Sequence, residues 1–239
     1  MTKKALLALF AAFAAIAPAI SQADVAFNVG LTSDYRYRGI SQTRVKPALQ
    51  GGVDFSSGPF YLGAWASNVK WIKDLGGDAS IELDLYGGYK GSITKDLGFD
   101  VGMLTYQYPS NKLSPSANTT ELYGALSYGP ATLKYSHAVT DTFANTNSKN
   151  SYYVDLSAGF DLGSGLTLTP HIGYQKITGP FSALGSYTDV ALTLSKDFSG
   201  VVVSGAAIGT DADKTFYVSP VNGKELGKAT VVLAAKYNF

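Results

Sequence analysis

Cysteine is absent from the 239 residues and methionine occurs twice. Without cysteine there can be no disulfides, no thiol nucleophile and no thiolate metal site. Charge is also scarce, with Asp, Glu, Lys and Arg together at 15% of the chain, where soluble domains carry about 25%. The 19 basic residues nearly balance the 18 acidic ones, so no broad basic field exists to hold nucleic acid. Two histidines and scattered acids build no metal-ligand constellation, and no metal or cofactor is expected. Beyond the first turns of the chain, no apolar run reaches the roughly 20 residues a spanning helix needs. What the chain has in quantity is glycine, at 26, and tyrosine, at 16. Both favour turn-rich strands over helices.

The first 23 residues read as a secretory signal peptide: Lys3 and Lys4 are followed by an apolar run over 5–17, and Ser21-Gln22-Ala23 offers small residues for cleavage. Pro18 interrupts the apolar run, which is too short for a membrane anchor. Cleavage after Ala23 takes the formal charge from +1 to −1 and leaves one domain, residues 24–239.

Within that domain, apolar and polar residues alternate, the pattern of strands with two unlike faces. Val25, Phe27, Val29 and Leu31 share one face of the first such run. Ile81, Leu83, Leu85 and Tyr89 oppose Glu82, Asp84, Tyr86 and Lys90 in another, and Val231, Leu233, Tyr237 and Phe239 oppose Lys236 and Asn238 in the last. Similar runs cover 151–161 and 188–195. Each is close to the 9–11 residues that a tilted strand needs to cross a bilayer.

Tight Gly, Pro, Asp and Ser clusters at 56–59, 94–98, 129–130, 162–165 and 197–200 alternate with longer polar segments at 34–46, 69–79, 109–118, 140–150, 177–185 and 210–226. Short turns alternating with long loops imply an all-β, antiparallel up-and-down transmembrane barrel of twelve strands, with ten or fourteen as alternatives. The strands are expected near 25–33, 47–55, 60–68, 80–90, 97–108, 119–128, 131–139, 151–161, 166–176, 186–196, 201–209 and 227–239. Phe55, Tyr89, Tyr128, Phe160 and Phe198 fall beside the short turns, where an interfacial girdle belongs. A soluble two-sheet sandwich would also alternate, so alternation by itself leaves that fold open. The ending on Tyr237 and Phe239 shifts the balance, because it resembles the sorting signal that the outer-membrane assembly machinery reads.

Residues 33–43 read SDYRYRGISQT, residues 47–55 PALQGGVDF and residues 60–72 FYLGAWASNVKWI. These segments resemble the TorF family of porins, exported proteins of Gram-negative bacteria, and a weaker pattern of Gly, Tyr and acidic residues continues to the C-terminus. The resemblance implies an outer-membrane barrel with a transport role. It supplies no solute and no site residues.

The first long loop is cationic through Arg36, Arg38, Arg44 and Lys46, and Tyr35 and Tyr37 alternate with the arginines and can brace them by stacking. Either the loop forms an anion-attracting eyelet in the barrel mouth, or its arginines pair with acids of the inner wall and hold it in place. Glu82, Asp84, Asp100, Glu121, Asp155 and Asp189 are expected to point inward, opposed by Lys134 and Lys236. Buried charge is costly unless wet or paired, so these residues either line a passage or form a network that closes it. Gly51, Gly52 and Gly63 are expected to allow close backbone approach between the second and third strands. His137 and His171 lack a nucleophile signature, and no catalytic residue is expected. The reading is a narrow passive channel for small polar or charged solutes, with outer-membrane lipid and the barrel assembly machinery as partners and no indication of oligomeric state. A closed structural or adhesion barrel and an outer-membrane hydrolase are the alternatives.

Overall fold

The computed structural model describes residues 23–239. Residues 1–22, nearly all of the expected signal peptide, lie outside them, and Ala23, the expected cleavage position, opens the first strand. The wall consists of β1 (Ala23–Thr32), β4 (Ala48–Ser57), β5 (Phe60–Asn68), β6 (Ile81–Ser92), β7 (Leu97–Gln107), β8 (Thr119–Tyr128), β9 (Ala131–Ala138), β10 (Tyr152–Ala158), β11 (Phe160–Gly163), β12 (Leu166–Lys176), β13 (Tyr187–Phe198), β14 (Val201–Thr210) and β15 (Thr230–Asn238). The first long loop carries the hairpin β2 (Arg36–Tyr37) and β3 (Ile40–Ser41). Two short helices, α1 (Trp71–Asp74) and α2 (Ser182–Gly185), sit in later loops.

Each wall strand pairs antiparallel with its sequence neighbour, β10 pairs with β12, and β1 pairs with β15, so the sheet closes on itself. β10 and β11 are two halves of one crossing, which makes twelve in all. The sequence predicts an unbroken strand over 151–161. The structure interrupts it at Gly159 and adds a bulge between Asp161 and Gly163, where the strand end turns toward β12.

Turn chemistry explains the register. Ser164-Gly165 and Ser199-Gly200 have positive φ at both residues, the requirement of a type I′ hairpin. Gly58-Pro59 and Gly129-Pro130 place glycine, at φ 56° in both, before the negative φ that proline supplies, which suits type II′.

The expected faces are found. Leu31, Leu49, Leu62, Val231 and Leu233 point outward and keep 46–65% of their surface exposed. A continuous apolar exterior on this scale is a lipid-contacting surface. Tyr89, Tyr128, Phe160 and Phe198 stand exposed at the turn end, joined by a stack of Phe27 on Phe239 at 5.7 Å. A second aromatic group, Tyr135, Tyr152 and Tyr174, lies toward the loop end. Glycines on the inner face make room for rings: a Cβ on Gly63 would collide with the ring of Tyr86.

The seam between first and last strands is also held at the chain end, where Phe27 and Phe239 exchange backbone hydrogen bonds of 2.7 and 2.9 Å. Deleting 237–239 removes these bonds and the stacked rings, exposing unpaired backbone to lipid. Barrel assembly should fall sharply, seen as loss of heat-modifiable electrophoretic migration; normal migration of the truncated chain would contradict this account of the seam.

Candidate functional site

Arg38 stands at the turn of the β2–β3 hairpin, in the left-handed region with φ 47°, and Gly39 beside it has φ 78°. A side chain on Gly39 would strike Thr210 of the inner wall, so the hairpin tip sits directly against β14. From this tip the Arg38 guanidinium donates to Gln175 Oε1 at 2.5 Å and to Glu121 Oε2 at 2.7 Å. Around the ring, β8, which carries Glu121, is four strands beyond β4, and β12, which carries Gln175, is four strands from β1 on the other side. The loop leaves the wall between β1 and β4 and is fastened to the opposite wall. It crosses the lumen.

Aromatic rings complete the clasp. The guanidinium carbon lies 4.7 Å from the Tyr37 ring centroid and 4.3 Å from that of Tyr153. Tyr37 donates to the Tyr106 hydroxyl at 2.7 Å, Tyr106 to Glu121 at 3.3 Å, and Tyr153 to Asp189 at 2.7 Å. Burial opposes the charge on Arg38, yet Glu121 and the phenols of Tyr37 and Tyr106 hold its pKa well above the usual guanidinium value. Burial likewise pushes the Tyr37 phenol upward, so it remains a neutral donor.

The other arginines have different partners. Arg36 pairs with Asp34 in its own loop at 2.8 Å and donates to the carbonyls of Gly39 and Lys228. Arg44 pairs with Asp74 of α1, tying the first loop to the second. Of the three arginines, only Arg38 reaches an acid of the wall. Lys46 is exposed.

The inward-facing acids separate into layers. Glu82 accepts from both Tyr35 and Tyr108, the latter at 2.7 Å. Asp84 is buried beneath it with Oδ1 unpartnered. Asp100 accepts from Tyr61 at 2.6 Å. Asp155 and Asp189 lie 3.9 and 3.7 Å from the two ring nitrogens of His171. Lys134 faces Asp155 in register and lies 4.0 Å over the Tyr123 ring. Lys236 is in register with Gly30 and exposed, away from the clasp. His137 is on the opposite strand face from Lys134, bonded to Tyr135 and Asn150.

The interior is lopsided. Strands β5 to β10 project Tyr61, Trp65, Tyr86, Tyr106, Tyr123 and Tyr153 inward, whereas β13, β14, β15 and β1 present Ala191, Thr193, Ser204, Ala206, Ala234 and Asn28, small residues interspersed with Val202, Ile208, Val232 and Lys236. These small residues face inward yet stay half-exposed, so solvent reaches them within the barrel. Sequence reasoning missed Tyr106, Tyr153 and Gln175. Tyr153 was recoverable, since alternation along the run 151–161 puts it on the same face as the inward Asp155 two positions on.

The profile of one bacterial protein family matches residues 16–239. The chain belongs to the Gcw_chp family of bacterial proteins of unknown function. Comparison with curated proteins finds no match. Among solved structures, this Gcw_chp chain is similar to the KdgM porin, with a TM-score of 0.58 and 9% identity over 91% of this chain and 99% of that one. It is also similar to the NanC porin, with a TM-score of 0.55 and 12% identity over 90% and 99%. At these identities the likeness establishes a shared barrel fold. The family match describes no activity, and the narrower TorF resemblance rests on the motif residues alone.

The Arg38 and Glu121 side chains keep 7% and 2% of their surface exposed. Removing one member of such a pair strands a buried charge, a loss of about 3–5 kcal/mol. Arg38→Ala should therefore lower stability to urea in detergent micelles, and adding Glu121→Gln should restore part of it. Additive losses in the double variant would show that the two side chains are not coupled.

Proposed function

We propose that this Gcw_chp protein is a narrow passive channel of the bacterial outer membrane for small polar or charged solutes, constricted by its first loop. The observation that carries the reading is the combination of a loop clasped across the lumen by Arg38 with a solvent-reached wall of small residues along β13, β14, β15 and β1. A clasp narrows the barrel without filling it, and the small-residue side is where water and solute would pass. The porin folds similar to this one and the TorF-like motifs support the same reading, as does the expected export signal at the N-terminus. In this orientation the long loops face the cell exterior and the short turns the periplasm.

Two alternatives have weaker support. A closed structural barrel draws on the density of the clasp, in which Arg38 alone engages two strands of the far wall and two rings. A hydrolase would need a nucleophile against a histidine. His171 has its ring nitrogens near Asp155, Asp189 and the Tyr153 hydroxyl, and His137 is bonded to Tyr135 and Asn150.

Planar-bilayer recording of refolded protein tests the reading. The wild type should give small, stable unitary steps. Arg38→Ser should raise unitary conductance several-fold and move the reversal potential under a salt gradient toward cations, because Glu82, Asp84 and Glu121 then dominate the fixed charge at the constriction. Glu121→Gln should move it the other way, and both shifts should shrink at 1 M salt, where the Debye length is about 3 Å. Absence of steps in all three proteins would favour the closed barrel.

A further inference from the structure

Above the Arg38 clasp, at the loop end, lies a vestibule of about 320 Å³. Three pairs of rings border it, and each pair ties two of the six long loops together. Tyr37 of the first loop meets Phe143 of the fourth with ring centroids 5.3 Å apart, Trp71 of the second meets Tyr108 at the start of the third at 5.1 Å, and Phe181 of the fifth meets Phe216 of the sixth at 5.7 Å. Ile40, Leu75, Ile177 and Leu226 add aliphatic surface between the rings.

Most polar side chains of the lining have their donors spent inside the protein. Ser41 Oγ donates to Asp34 at 2.6 Å, the Gln42 amide to the Ile40 carbonyl at 2.9 Å, and the Asn145 amide to the Thr142 carbonyl at 2.9 Å. Gln175 donates to the carbonyls of Tyr152 and Lys176 and accepts from Arg38. The phenols of Tyr37, Tyr108 and Tyr217 donate to Tyr106, Glu82 and the Gly185 carbonyl, each at 2.7 Å. The one carboxylate of the lining, Asp74, is paired with Arg44, and among the described residues no lysine or arginine lines the space. Asp74 Oδ2 and Trp71 Nε1 lack partners but are sealed from solvent, so neither can meet a ligand. What the vestibule offers is chiefly ring and aliphatic surface.

Water in such a space finds few free hydrogen-bonding groups, so an apolar molecule displaces it favourably. A charged molecule would give up its hydration and meet no counter-charge. An apolar cavity of about 150 Å³ takes up benzene, so this vestibule has room for about two fused rings. Rings on every side favour an aromatic occupant over an alkyl chain, because ring pairs gain more than their buried area alone supplies. The entrance has the same character: Leu75 and Phe181 line the vestibule and keep 56% and 40% of their surface exposed. They stand in long loops beyond the strand ends, where contact with the lipid core does not account for them. We infer that the vestibule is a binding site for a small uncharged aromatic molecule of one or two fused rings, held by ring contacts rather than by hydrogen bonds.

The site goes beyond the channel reading and does not depend on it, since binding is measured without conductance. In lipid nanodiscs, with empty discs as the reference for partitioning, the refolded protein should bind 2-naphthol saturably by equilibrium dialysis. At neutral pH, 2-naphthoate and 2-naphthylmethylammonium carry the same rings with a charge and should bind about tenfold more weakly. Octanol, a chain without rings, should displace 2-naphthol only at much higher concentration. Phe181→Ala and Phe216→Ala, on different loops, each remove one ring at the entrance and should weaken 2-naphthol binding roughly five- to tenfold while keeping heat-modifiable migration. Charged naphthyl compounds binding as tightly as 2-naphthol, octanol competing equally well, no saturable binding above empty discs, or unchanged affinity in both folded variants would overturn the site. Naphthol binding without unitary steps would overturn the channel and leave the site, and steps without naphthol binding would do the reverse.

Discussion

A chain that crosses lipid as strands must satisfy every backbone N–H and C=O within its own sheet, and that requirement governs the rest of the molecule. It forces β1 onto β15, because an edge facing hydrocarbon would leave a row of unpaired groups. Closure in turn splits each strand into a lipid face and a lumen face, so Val231 and Leu233 go outward while Ala234 and Lys236 go inward. The polar residues of the strands have one place to go. The chemistry of the protein is concentrated inside the ring.

Charges gathered in that confined space must be paired, hydrated or bonded, and the first loop supplies much of the answer. Arg38 meets Glu121 and Gln175 across the lumen, and the tyrosines around it convert the remaining carboxylate lone pairs into acceptors for phenol hydroxyls. The result is a constriction near the loop end, with bulky rings on one side of the barrel and small residues on the other. The same loop carries Arg36 and Arg44, which anchor it to the sixth and second loops. One segment therefore narrows the lumen and organises the vestibule above it.

The strand plan was readable almost throughout, because a period of two and the Gly-Pro and Ser-Gly turn pairs are local signals. The break at Gly159 was not, since a glycine in a strand signals neither its bulge nor its position. At the constriction, the inward acids were legible from alternation, and the arginines drew notice by their spacing. Their partners were not: Arg38 and Glu121 lie 83 positions apart in the chain, and Arg44 finds Asp74 in a different loop.

Alternating hydrophobicity and turn residues act over a few residues; they determined an all-β chain of about twelve crossings and the identity of its two faces, and the ending on Tyr237 and Phe239 tipped that chain toward a barrel. Which loop folds inward, which of three similar arginines crosses the lumen, and that six loops bring their rings to one cavity were decided by closure of the sheet. Only when β1 meets β15 do residues four strands apart come to face each other across the same space, and no short-range pattern encodes that distance.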